Sequence, residues 1–248
     1  MKLFTSNATF SFTETAPLPY PYYEQDVATI LDSVKILFSK YFDGVDKNYL
    51  QVVNVYPSDE YPMTIYEQNK IYLRVSPLDK NGSPGCYWCQ IIYQFSHEFC
   101  HYMNFGHVVK SMRWFEEVLC ELASHFFLLK SVENWAVSPP RDSWRSYSQA
   151  LLSYELENRK SITTFDFKND FHQILMLLES DEYQRKLNRF IALCLLPLFI
   201  EKPSLWKIVP CLIELHDSNS FHQNLKSLGN LSGEDVSDIE SVFYPSDN

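Results

Sequence analysis

The sequence predicts an α+β protein, on three observations. β-Branched and aromatic runs gather between residues 49 and 76, helical periodicity takes over from about residue 87, and nearly everything after Ser138-Pro139-Pro140 repeats at helical spacing. Of 248 residues, 46% are hydrophobic and 16% aromatic, enough for a packed core and too many for a disordered chain.

Taken in order, residues 25–43 carry apolar side chains at helical spacing and run into Gly44, a residue suited to a helix C-cap. The run YLQVVNVY at 49–56 reads as a strand. MTIY at 63–66 and IYLRVS at 71–76 flank Glu67-Gln68-Asn69-Lys70 and read as a hairpin. Asn81-Gly82 and Pro84-Gly85 are turn signals. Helices follow over about 87–105 and 112–130. The Pro-Pro pair breaks the pattern, which resumes over about 142–158, 169–178, 181–196, 203–216 and 219–228. From Gly229 on, Glu234, Asp235, Asp238 and Glu240 accompany few apolar residues, which predicts a loosely held tail. The division that results is an α+β part over 1–135 and a helical part with an acidic tail over 136–248.

With 21 Lys+Arg against 31 Asp+Glu, the net charge is −10, and no basic stripe is available to neutralise phosphates. A nucleic-acid partner is therefore not expected. The first 25 residues hold no apolar leader core, and the longest apolar run (FIALCLLPLFI, 190–200) is too short to span a bilayer and contains Pro197. Cys100, Cys120, Cys194 and Cys211 sit within apolar helical patterns, as reduced core thiols of a cytoplasmic protein do. Cys86 and Cys89 form one CxxC, but no second pair completes a four-thiolate zinc site.

The chemistry centres on His97-Glu98-Phe99-Cys100-His101. Two His at i and i+4 of a helix share a face, so both imidazoles reach one Zn²⁺. Glu98 is rotated off their line, where it can meet a water at the metal as a general base. Gln90, Gln94, His97, His101 and Asn104 form one polar stripe on a helix that is otherwise apolar. The next helix, Trp114 to Ser124, is apolar nearly all round except for its glutamates, and it sets Glu117 and Glu121 one turn apart. Buried carboxylates need a cationic partner. Glu117 is the natural third ligand to one zinc per chain, and Glu121 the natural support for a ligand His. His125 continues the same line by another turn and reads as a core histidine.

HEFCH followed by WFEEVLCE resembles the gluzincin metallopeptidases over about residues 60–130. The resemblance implies a zincin-like sheet and helix pair, His97, His101 and Glu117 as zinc ligands, Glu98 as base and Glu121 in support. It also implies that Ile71–Ser76 is the edge strand that pairs with an extended peptide. A rival pattern, H-E-x-x-H-x-x-G-x-x-H, would use His107 as third ligand with Asn104 at the Gly position. No Met-turn accompanies it, and it leaves Glu117 and Glu121 without partners, so the gluzincin pattern is preferred. Tyr147 and Tyr154 are the phenols expected to stabilise an oxyanion. The expected function is a zinc-dependent peptidase acting on peptides or unfolded protein segments. The alternative is a non-catalytic zinc-binding module with the same fold.

Overall fold

Five short strands form one mixed sheet in the order β1-β2-β3-β5-β4: β1 (Leu3–Asn7), β2 (Phe10–Glu14), β3 (Leu50–Asn54), β4 (Met63–Ile65) and β5 (Lys70–Leu73). β2, β3 and β5 run parallel, with Phe10 opposite Leu50 and Gln51 opposite Lys70, while β1 and β4 are antiparallel to their neighbours. This computed structural model describes residues 3–7, 10–14, 23–45, 50–54, 62–75, 87–160 and 167–244. The turn signals at 81–82 and 84–85 and Cys86 of the CxxC lie outside the described residues. Cys89, Cys100 and Cys120 are buried free thiols.

The expected hairpin forms, because Asn69 takes a left-handed φ of 50° that reverses the chain after a 3-10 turn at Tyr66–Gln68. The expected edge strand is corrected. β5 is enclosed by β3 and β4, with Ile71 and Leu73 buried, and β4 is the edge.

Eight helices are described: α1 (Tyr23–Phe38), α2 (Trp88–Tyr102), α3 (Arg113–Val137), α4 (Ser148–Lys160), α5 (Phe167–Ser180), α6 (Arg185–Glu201), α7 (Phe221–Ser232) and α8 (Ser237–Phe243). α3 is the axis of the molecule. α2, α4 and α6 all pack on it, and Trp114, Phe115, Phe126 and Phe127 are fully buried. Burying such rings stabilises by about 2–3 kcal/mol each relative to exposure. The 135/136 division falls inside the last turn of α3, and one continuous core crosses it.

Two expectations in the second half change. The helix expected over 203–216 is a 3-10 helix at Pro203–Glu214, where Pro210 withholds an N–H from any α-type bond. The acidic tail is held in place. Ile239 and Phe243 of α8 are buried, Phe243 packs on Phe221 with ring centres 5.0 Å apart, and Glu234 pairs with Lys207 at 2.9 Å. Among the described residues, no helix is long and apolar enough to cross a membrane.

Candidate metal centre

α2 and α3 are neighbours in sequence and lie side by side, joined by a reversal in which Phe105 adopts a φ of 58°. The polar stripe of α2 therefore faces the glutamates of α3. His97 Nε2 lies 3.4 Å from Glu117 Oε2, and His101 Nε2 lies 3.4 Å from Glu117 Oε1. One donor atom from each of the three falls within 4.8 Å of the others. Four donors at about 2.0–2.1 Å around a tetrahedral ion stand about 3.3–3.4 Å apart, so His97, His101 and Glu117 can hold a metal ion.

Each of the two imidazoles turns its other nitrogen to a carboxylate. His101 Nδ1 is 2.8 Å from Glu116 Oε1, an oxygen that also accepts from Asn104 at 2.5 Å and from the Tyr66 hydroxyl at 3.2 Å. Glu116 is a site residue that the sequence reading missed. Its one sequence signal was Asn104, which continues the polar stripe just beyond α2 and is buried against Glu116 in the fold. His97 Nδ1 faces Glu121 Oε2 at 3.8 Å, an ion-pair distance and too long for the hydrogen bond expected there. Glu121 Oε1 instead accepts from Tyr93 at 2.5 Å and Arg189 Nε at 2.6 Å.

Burial alone would depress both imidazoles and raise Glu117. The facing charges reverse each effect: Glu116 and Glu117 hold His101 well above its ordinary value, Glu117 raises His97, and the two imidazoles keep Glu117 far below the usual carboxylate range. Glu121, which burial also pushes up, is brought down to about 2 by His125 and Arg189. Glu98 goes the other way. Burial raises its carboxyl, and the charges of His97 and His101 offset only part of that. The Thr64 hydroxyl, on β4, is shared between the Glu98 carbonyl oxygen at 2.7 Å and Oε2 at 3.1 Å.

These groups open onto a cleft of about 1130 Å³ between β4, α2, α3 and the start of α6. Tyr154 and Tyr183 line it, whereas Tyr147 does not; Tyr147 packs against Trp88 with ring centres 4.6 Å apart. Tyr183, in the turn between α5 and α6, was also missed. Tyr183 is 65% exposed, and its phenol is made less acidic by the part of it that is covered and by the charge of Glu117. His107 stays apart from the cluster at the cleft's rim, exposed and 2.8 Å from Glu67. Comparisons with protein families, with curated proteins and with solved structures return no match for this chain.

Proposed function

We propose that the chain is a zinc-dependent peptidase that cuts an extended peptide laid along β4. What supports this reading is the convergence of a buried Glu98 and of three side chains able to hold a metal ion on one cleft walled by a sheet edge. Two imidazoles and one carboxylate are the donor set of catalytic zinc, leaving one position open. Bound there, zinc would supply Lewis acidity toward the scissile carbonyl and lower the pKa of water.

The chain's own groups do the rest. β4, three residues long and the outer strand of the sheet among the described residues, offers its free edge to a peptide as an added strand. Glu98 takes a proton from the attacking water and passes it to the leaving amine. Its raised affinity for a proton suits that exchange, and the Thr64 hydroxyl fixes the carboxylate. Tyr154 and Tyr183, which line the same cleft as β4, are the phenols available to donate to the developing oxyanion.

The test is Glu98→Gln, which keeps the side chain's shape and cannot accept the proton. Zinc content should stay at one per chain while hydrolysis of a peptide library falls by at least about 100-fold. A zinc-loaded wild type that cleaves nothing across a broad library would leave a metal-binding module and end the peptidase reading.

A further inference from the structure

The polar network does not end at Glu121. One turn further along α3, His125 is fully buried, and so is Glu155 on α4. His125 Nδ1 lies 2.9 and 3.0 Å from the two oxygens of Glu155, whose Oε1 also accepts from Arg159 Nε at 2.8 Å. On its other side, His125 Nε2 lies 3.2 Å from the Tyr93 hydroxyl and 3.7 Å from Glu121 Oε1.

Hydrogen accounting assigns the protons. Tyr93 has one hydroxyl hydrogen, and it goes to Glu121 Oε1 at 2.5 Å. The Tyr93 oxygen is then the acceptor for His125, so Nε2 must carry a hydrogen. Glu155 turns both carboxyl oxygens to Nδ1, so His125 is held at both ring nitrogens between Glu155 and Tyr93, a setting that favours its charged form. Its raised proton affinity agrees: burial works against the charged form, and Glu121 and Glu155 outweigh it.

This matters for Glu121. Its two oxygens have different tasks: Oε1 is gripped by Tyr93 and by Arg189 of α6, and Oε2 is turned to His97. Fixing Oε1 fixes where Oε2 points. Stability alone is a weak reason for this arrangement, because well-packed apolar residues often serve as well as buried ion pairs.

We propose that His125 and Glu155 are positioning residues for the metal, acting through Tyr93 to aim the Glu121 carboxylate at His97. Metal affinity then depends on α4, an element that carries no ligand. This rests on the zinc reading above.

The experiment is zinc competition against a chromophoric chelator with the full chain, well below its melting temperature. Tyr93→Phe, Glu155→Gln and His125→Asn are each placed in the wild type and in a Glu121→Gln background. Tyr93→Phe removes one oxygen and keeps the ring, so it tests the link if a change at His125 unfolds the protein. In the wild type each variant should bind zinc about 10-fold more weakly, the low end for groups that orient a ligand. In the Glu121→Gln background the same changes should cost nothing more, because their route to His97 is already cut. A merely structural role would lower the melting temperature and leave zinc affinity in place. Unchanged affinity in Tyr93→Phe and Glu155→Gln, or losses that add in the double variants, would overturn the inference while leaving the zinc site standing. A wild type that takes up no zinc would overturn both.

Discussion

α2 and α3 touch at both ends, and the two ends are built from opposite materials. At the start of α2 and the end of α3, Trp88 meets Trp135 with ring centres 6.2 Å apart, and Trp144 packs on both. At the end of α2 and the start of α3, His97 and His101 meet Glu116, Glu117 and Glu121. The aromatic end is rewarded by burial and dispersion without any ligand, and these outweigh the cost of a Trp135 indole N–H buried with no partner among the described residues. The polar end is a cost that its charges offset only against one another, or against a cation. One helix pair thus carries a region indifferent to metal beside a region that a bound cation would stabilise.

The largest way to sharpen that contrast is Trp135→Ala. It should destabilise by about 3–5 kcal/mol through the cavity it leaves. Denaturant melts with and without zinc should show the same loss. Next comes Glu117→Ala, which should abolish the zinc-induced rise in melting temperature, with affinity down by more than about 100-fold, beyond what an orienting group contributes. His107→Ala should leave both values unchanged; the reverse pair of results would move the site to the cleft rim. Glu116→Ala should weaken zinc by about 10–100-fold, measured by chelator competition, because it frees the His101 ring.

The pH dependence follows from the imidazoles. Their pKa values are raised in the metal-free fold, so their ion pairs stabilise it fully below the unfolded value near 6.5 and are lost as pH rises through the folded values. Glu117, held low, contributes above the ordinary carboxylate value of 4.5 and loses that contribution as pH falls through its folded value. Zinc must displace protons from His97 and His101. Its affinity should therefore climb from pH 6 to pH 8, by about tenfold per unit for each proton displaced. Calorimetry at the two pH values checks this, and a flat profile would mean that the imidazoles are already neutral.

The same contrast explains what could be read ahead of the structure. α2 and α3 were legible because their periodicity is local, and so was the facing of His97 and His101 toward Glu117, since a short reversal leaves little choice of neighbour. Glu116 was not, because residues i and i+1 of a helix point to different sides. Its role depends on Tyr66 and Asn104, which other segments bring to it. Tyr183 depends likewise on how α5 turns into α6. β1 and β2 went unread although they are no shorter than β3, β4 and β5 and Phe10 and Phe12 alternate with Ser11 and Thr13, and the edge position of β4 follows from a strand order no single segment carries. The tail read as loose because its acidic residues are near in sequence, while Lys202 and Lys207, which pair with Asp238 and Glu234, come from about 30 residues away.

Anomalous diffraction at the zinc absorption edge, from crystals of the full chain grown with zinc, locates the metal itself. One peak is expected, about 2.0–2.1 Å from an imidazole nitrogen of His97 and of His101 and from a Glu117 carboxylate oxygen. Glu98 should stand near that peak without touching it. No peak there, or a peak liganded by His107 in place of Glu117, would contradict zinc binding by these three residues.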